Sequence, residues 1–575
     1  MGIYNRTKMW RLMTQNGIRT LRTLYTGIFL ILTCGFTLTS PVILQAADPS
    51  KALSDVAGRA ERTTERNLQI QTYYGRQRIL NKQKKEGAAF SEKDSKTRQD
   101  KEISFEVKEI KVTSSAYLSQ EDIERAIHFP GPGLFRVADL NAMVDRVNAL
   151  YMSKGIMTAK AVLPPQKVED GVVYIRLIEG KYGKTIITGN RRIHDSYIRH
   201  RVNSKSGKLV DLGELQKSVD RYNAGNTYQI SATVVPGSEV GTSDVELVLT
   251  EQENPWNTII FADNSGQVES GRYRVGTYSE YRGIGGKDAG FYIAPTWTEG
   301  IWGGSIGFDT PLGTKGTKMA VSYSRNIVHI IDGAFSDFNL KSQSNDLGLT
   351  INHPLAIKDN QQWNLFVEGH RKWSDTTYAG MELSDNRTNT VKLGSTFRSY
   401  DRRGMWFGLL SVTGYDSRAR TAGITQGGHY YNVYLMRRQV LPAGQDLIFR
   451  AYGQYSDYRE MPSTEQFSLG GMNTVRGYRE GLLSGDKGWF AGLEYHFLLT
   501  EDYSTWRGLL FADHGVSYSN YSDLTKRYFI SSAGIGLEYR KNGWYGKAVY
   551  GIPVNHSHDI HGEHPRIHFY IERHL

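Results

Sequence analysis

Cysteine is nearly absent from this chain. Its 575 residues contain one, Cys34, which lies in an apolar stretch near the N-terminus. Ile31-Leu32-Thr33-Cys34 has only a faint likeness to a lipoprotein cleavage box, because Thr33 fits poorly and more apolar sequence follows. The plainer reading is a small apolar residue in a discarded segment. The mature chain then has no disulfide, no zinc-thiolate site and no cysteine nucleophile. Long apolar runs are missing too. Beyond that stretch no apolar run reaches the roughly 18 residues of a spanning helix. The mean hydropathy of −0.46 agrees, and a helical membrane protein is excluded. No nucleophile–base array, phosphate loop or cofactor fingerprint occurs, so neither catalysis nor a cofactor is expected. Acidic residues are outnumbered, 59 against 70 Lys and Arg, for a net charge of +11. In an exported protein nucleic acid is not the partner, and the surplus fits a polar lumen and a periplasmic surface.

Glycine (60) and tyrosine (35) are plentiful, and neither suits a helical globule. Aromatic girdles and tight strand packing in an outer-membrane barrel use both. Residues 1–47 read as a signal peptide: Arg6, Lys8, Arg11, Arg19 and Arg22 precede the stretch from Leu24 to Leu44, and Gln45-Ala46-Ala47-Asp48 gives a small-residue exit. Residues 48–80 carry Leu53, Val56, Ala57 and Ala60 at helical spacing on a narrow stripe, which suits a helix docked in something polar. Residues 81–102 are dense in Lys, Glu, Asp and Ser and read as a flexible linker.

Two α+β units of order βααββ follow, 103–180 and 181–254. In the first, a strand is expected from Phe105 to Thr113, a helix begins at Ser119-Gln120-Glu121-Asp122, and a second helix runs from Val137 to Lys154. Strands at Ala159 to Leu163 and Val172 to Ile178 complete it. The second unit repeats the order, an internal repeat of whole small domains. From 255 to 575 the texture is alternation. Arg272, Arg274 and Glu280 oppose Tyr273, Val275, Thr277 and Tyr281, and Gly492, Glu494 and His496 oppose Ala491, Leu493, Tyr495 and Phe497. A polar lumen inside a lipid-facing wall fits this pattern, and about 320 residues at roughly 20 per strand and connection give about 16 antiparallel strands.

Four strings are distinctive. Leu163-Pro164-Pro165-Gln166, four residues and Gly171, then Glu179-Gly180, close the first unit. Phe467-Ser468-Leu469-Gly470-Gly471 leads to Val475-Arg476-Gly477-Tyr478. Gly485-Asp486-Lys487-Gly488-Trp489 leads to Glu494, and Phe511, Asp513 and Gly515 follow at alternate positions. In this order they resemble the two-partner secretion translocators, the TpsB family of the outer-membrane assembly superfamily, over nearly the whole mature chain. The resemblance implies two periplasmic POTRA domains, a 16-stranded transmembrane β-barrel in a Gram-negative outer membrane, and an N-terminal plug helix at 48–80. The implied client is a large secreted exoprotein with an N-terminal two-partner secretion domain, exported unfolded and in some cases activated. Outer-membrane lipid, periplasmic chaperones and the barrel assembly machinery are the other implied partners. The alternative function is an insertase for other barrels. One departure is the C-terminus, Arg573-His574-Leu575, where such barrels usually end in an aromatic residue; Ile567, Phe569 and Ile571 keep the outward alternation.

The motif residues also read chemically. Phe511, Asp513 and Gly515 share one strand face, and with Leu510 and Ala512 suited to lipid that face is the lumen. Gly515 clears room for a loop, Gly477 lets the loop turn, and Arg476 offers a planar fork to Asp513. At 4 Å and an effective dielectric near 20 the attraction is about 4 kcal/mol before desolvation. A net of about 1–3 kcal/mol biases a loop without locking it. The competing reading is a static wall salt bridge. Glu494 is either a second acceptor or a plain lumen residue. His556, His558, His561, His564, His568 and His574 crowd the C-terminus, the first four in an expected surface loop. With only Asp559 and Glu563 near, a solvated loop is the reading and no metal is expected.

Overall fold

The computed structural model describes residues 104–156, 158–333, 336–358, 360–500, 505–521 and 524–575. The expected signal peptide, plug helix and linker lie outside the described residues.

The first small domain contains β1 (Ser104–Val107), β2 (Glu109–Val112), α1 (Gln120–Ile127), β3 (Gly133–Arg136), α2 (Val137–Ser153), β4 (Ala159–Val162) and β5 (Val172–Glu179). The single strand expected from Phe105 to Thr113 is two. The chain breaks at Lys108, where the amides of Lys108 and Glu109 both bond the Gly171 carbonyl at 2.7 and 3.2 Å. β2 then runs parallel to β5, while β1 turns aside to pair with β3. β3 has four residues, too few to show a period, so the expected βααββ order lacked it. Ser119 caps α1 by accepting the Asp122 amide at 3.2 Å. Leu140, Met143, Val144, Val147 and Tyr151 repeat at three and four along α2 and bury one face on the sheet.

Two strings of the first domain have structural work. Gln166 acts as a strand fragment: its amide bonds both the carbonyl and the N–H of Tyr174 at 2.8 Å. Glu179 gathers Ser115 Oγ, the Ala116 amide (2.9 Å) and the Tyr151 hydroxyl (3.0 Å). Burial pushes the Tyr151 hydroxyl up to about 12, so it stays a donor to that carboxylate. Glu179→Ala removes the carboxylate that joins these groups and is expected to destabilise the domain by about 1–3 kcal/mol. Faster protease cleavage within residues 104–180 of the membrane-embedded protein is the readout.

The second domain has β6 (Lys181–Thr188), α3 (Asp195–Arg199), α4 (Leu212–Gly225), β7 (Ile230–Pro236) and β8 (Thr242–Leu249). The sheets run β2-β5-β4 and β6-β8-β7, the same arrangement twice. One detail repeats with them. Asn148 of α2 bonds both backbone groups of Ala161 on edge strand β4, at 2.7 and 3.3 Å. Asn223 of α4 does the same to Ile230 on edge strand β7, at 2.8 and 2.9 Å.

Among the described residues no helix is long and apolar enough to cross a membrane. The remainder closes as a barrel of sixteen antiparallel strands. They are β9 (Trp256–Asp263), β10 (Arg274–Arg282), β11 (Gly290–Trp297), β12 (Ile301–Leu312), β13 (Thr317–His329), β14 (Lys341–Lys358), β15 (Gln361–Tyr378) and β16 (Met381–Asp401). β17 (Gly404–Ala419), β18 (Ile424–Val440) and β19 (Asp446–Tyr455) follow, and a short hairpin, β20 (Phe467–Leu469) and β21 (Leu483–Gly485), interrupts the wall. β22 (Lys487–Leu498), β23 (Trp506–Tyr521), β24 (Leu524–Lys541), β25 (Trp544–His556) and β26 (Arg566–His574) complete it. His556 therefore ends a strand rather than lying in the loop expected for it.

Alternation sorts the wall. Arg274 and Glu280 are buried inward while Tyr273 and Val275 are exposed; Arg272 precedes β10 and is exposed. Exposed tryptophans form two girdles. Trp256, Trp363, Trp406, Trp506 and Trp544 sit where strands leave the end that carries the small domains, and Trp297, Trp302 and Trp489 sit at the far end. β26 closes on β9 by pairing Tyr570–His574 with Asp263–Ile259. Asn264 extends this seam, donating to the Ile567 carbonyl at 2.8 Å and accepting the Phe569 amide at 2.9 Å. The Leu575 amide bonds Thr258 at 2.9 Å, so closure proceeds through backbone without a terminal aromatic.

The second domain is fitted to the barrel rim. Asp288, fully buried, accepts the Thr227 amide and Lys318 Nζ. A Cβ on Gly225 would lie 2.6 Å from the Cα of Gly316, so the end of α4 touches the β12–β13 turn.

Candidate functional site

β19 runs away from the small domains, so the segment 456–486 that follows it starts at the far end. It is the longest connection between barrel strands. Asp486 ties its two ends by accepting the amides of Glu460 and Met461 at 3.2 and 2.9 Å. From that root the segment turns into the lumen as the β20–β21 hairpin, with residues 470–482 at its tip.

The wall makes room for the hairpin with glycine. A Cβ on Gly488 would lie 2.4 Å from the Phe467 ring, and one on Gly515 2.9 Å from Leu469 and 3.2 Å from Val475. Phe467, Leu469, Val475 and Tyr478 are fully enclosed in one apolar cluster with Phe490 and Ile530. The expected vacancy at Gly515 is thus filled by Leu469 and Val475.

Among the described residues Arg476 is the largest wholly buried side chain. Its fork meets Asp513, Nε to Oδ2 at 2.7 Å and Nη2 to Oδ1 at 2.8 Å, and its own backbone N–H adds a third bond at 3.1 Å. Nη1 reaches Glu494 at 2.7 Å, so Glu494 is the second acceptor. The guanidinium lies 3.8 Å from the centre of the Phe511 ring, a cation–π contact that assigns the motif phenylalanine its place. Gly477, at φ +91°, donates its amide to His568 Nε2 at 3.1 Å. The Tyr478 hydroxyl reaches the carbonyls of Ser531 and Asn555 at 3.0 and 3.1 Å.

The pair expected from the sequence is the centre of a larger array. Glu494 also holds Arg450 (2.9 Å), Lys547 (3.0 Å) and His496 (2.9 Å), and Glu538 holds Lys547 and His496 from the other side. Carboxylates and cations alternate, so desolvated charges each find a partner. Removing one member of such a set is far costlier than the about 1–3 kcal/mol of a simple pair. Arg450, Lys547 and Glu538 carry no motif. His568 does have a signal: with Ile567, Phe569 and Ile571 outward it must point inward. Glu563 does not frame the histidine loop. It is buried against Arg479 of the hairpin tip, Nε to Oε1 at 2.7 Å. Among the described residues no cluster of His, Cys, Asp or Glu could hold a metal ion.

Residues 241–539 match the family model described as haemolysin secretion/activation protein ShlB/FhaC/HecB, and residues 105–180 match the ShlB-type POTRA domain. The chain belongs to the ShlB/FhaC/HecB family. Within it, the heme/hemopexin transporter protein HuxB of Haemophilus influenzae (strain ATCC 51907 / DSM 11121 / KW20 / Rd) is 24% identical over 445 residues, 71% of this chain and 76% of that protein. The outer membrane transporter CdiB of Dickeya dadantii (strain 3937) is 24% identical over 67% of this chain and 71% of its own length. The hemolysin transporter protein HpmB of Proteus mirabilis is 22% identical over 76% and 80%. The solved structure of CdiB from Escherichia coli superposes with a TM-score of 0.64 at 17% identity, covering 93% of this chain and all of that one. This ShlB/FhaC/HecB member is an outer-membrane transporter of the two-partner secretion type, with its POTRA end in the periplasm and the root of segment 456–486 at the cell surface.

Proposed function

We propose that the protein captures a large exoprotein in the periplasm, through its two small domains, and passes it extended through the barrel, with segment 456–486 as the gate. The observation that carries this is the Arg476 clamp: a surface-rooted loop is held inside a closed barrel by a fully paired, buried charge array. A passive porin would have little use for the two POTRA domains. Relatives named as transporters of haemolysin or of heme/hemopexin support the same reading. The client by this reading carries an N-terminal two-partner secretion domain, and lipid, periplasmic chaperones and the assembly machinery serve only to place the barrel. No catalytic step is needed, because folding outside the cell biases the passage.

Client capture has a specific edge. Among the described residues β7 pairs only with β8, and Gln229 and Gly237 turn their backbone groups toward β8. Ile230 turns outward to Asn223, so Ala232 and Val234 also face outward. An extended client segment can add there through backbone bonds, largely whatever its sequence. Val234→Pro removes one outward N–H and spares the β7–β8 ladder. It is expected to lower export several-fold at an unchanged level of folded barrel; unaltered export would remove β7 from the path. The whole reading is tested by comparing secreted, surface and outer-membrane proteomes with and without the gene. Loss of one large exoprotein supports it, whereas a general fall in barrels would mean an insertase.

A further inference from the structure

Segment 456–486 meets the wall at a second charged contact, far around the ring from Arg476. Glu465, in the turn of the loop that leads into β20, receives Nζ of Lys372 on β15 at 3.2 Å and the hydroxyl of Tyr430 on β18 at 2.8 Å. Its carbonyl accepts the Gln454 amide of β19 at 2.8 Å. In the ring order β15 is the seventh strand and β23 the thirteenth, six apart among sixteen, so Lys372 and Asp513 stand on nearly opposite walls.

We propose that Glu465 is a second latch of the transport pore, one that opens while Arg476 stays bound, and that the client passes on its side, between the loop and the β15–β18 wall. This rests on the reading of the barrel as a conduit for an extended chain. Three observations carry it. The two contacts are unequal: Arg476 and Asp513 have wholly buried side chains, whereas Lys372 is 17% exposed to the lumen. A lysine can swing into water and keep its charge solvated, while Arg476 has no such exit. The loop is also jointed between the two contacts. Gly470 and Gly471 just after β20 and Gly481 just before β21 have φ of +105°, +97° and +64°, a region that only glycine occupies easily. Phe467 and Leu469 stay enclosed beside this joint, so the part that can shift is the short turn before them that carries Glu465, while the tip stays fixed.

The third observation is space. A cavity of about 190 Å³ lies between loop and wall, lined among others by Lys372, Thr390, Lys392, Thr413, Tyr430 and Glu465. Crossing the membrane takes roughly nine residues of extended chain, which this volume cannot hold, so one of the contacts bounding it must part. Short hydroxyl and amine ends on this wall can exchange hydrogen bonds with a moving backbone. The opposite wall is occupied by the hairpin and its charge array.

The test uses the full-length protein, whose only native cysteine is Cys34. Glu465→Gln and Lys372→Met are compared with wild type in planar bilayers, without client. Each is expected to raise mean conductance roughly tenfold if the latch holds the closed state by about 1.4 kcal/mol. The pair Glu465→Cys with Lys372→Cys, joined by a short bis-methanethiosulfonate that forms a disulfide to each thiol as methanesulfinate leaves, is expected to reduce export to background and to recover when a reductant cuts the link. Heat-modifiable migration on gels checks that each barrel is folded. Unchanged conductance in both single variants, or undiminished export by the linked protein, would overturn the latch. If wild type exports no protein while the variants still change conductance, the transport reading fails and the latch stands.

Discussion

Replacing Arg476 with alanine is expected to collapse client export and to leave the outer membrane leaky, while the barrel still folds. Among the described residues the guanidinium is the only charged partner of Asp513 at hydrogen-bond distance, and it supplies one of four contacts to Glu494. Without it Glu494 keeps Arg450, Lys547 and His496, but Asp513 is left as a buried, unpaired carboxylate. Breaking a buried pair this way costs about 3–5 kcal/mol. The cost falls on the position of the loop, because the sixteen-strand ladder does not run through Arg476. A shift of about 3 kcal/mol changes the ratio of bound to released tip by roughly a hundredfold. Asp513→Ala should resemble it. Arg476→Lys should rescue little, since an ammonium cannot reach Asp513 with two bonds and Glu494 with a third. Secreted client per folded barrel, together with sensitivity to a large antibiotic, measures both effects. Wild-type export and a tight membrane in both Arg476→Ala and Asp513→Ala would sink the gate.

How far the sequence reached depends on how local each signal is. Alternation placed Arg274, Glu280 and Glu494 inward because a strand has only two faces. Asp513 followed from its neighbours Leu510 and Ala512. The same rule applied to Ile567 and Phe569 finds His568, whose contact with Gly477 no motif announces. Beyond parity the signals fail for physical reasons. Lys547 reaches Glu494 across two intervening strands and Arg450 from the neighbouring one, and nothing in strand spacing says which inward cation meets which carboxylate. The contact of Arg479 with Glu563 joins two loops far apart in sequence, and their meeting is set by how deeply the hairpin descends. β3 was missed because four residues carry no period; the break at Lys108 did leave a mark, since the inward set passes from Phe105 and Val107 to Ile110 and Val112, but one change of parity in so short a run reads as easily as noise.

The second large effect is expected from a residue that carries no side chain at all. Gly551 faces the lumen on β25, and a Cβ there would lie 2.5 Å from the Gly477 nitrogen and 2.7 Å from its Cα. Conversely, a Cβ on Gly477 would lie 2.8 Å from the Gly551 carbonyl carbon. Backbone thus presses on backbone, and neither side can yield by rotating a side chain. Gly551→Val should wedge the tip off the wall although Arg476, Asp513 and Glu494 are all intact. A fork that must meet a carboxylate at 2.7–2.8 Å loses both bonds when its backbone is displaced by an ångström or more. Valine is better than glycine in a strand, so assembly of the barrel should not suffer. The variant is therefore expected to export and leak like Arg476→Ala, with Gly551→Ala between it and wild type. Such a graded series separates the position of the tip from its charge. If Gly551→Val exports normally from a tight membrane, the tip does not need its place on β25, and the clamp geometry is not what holds the pore shut.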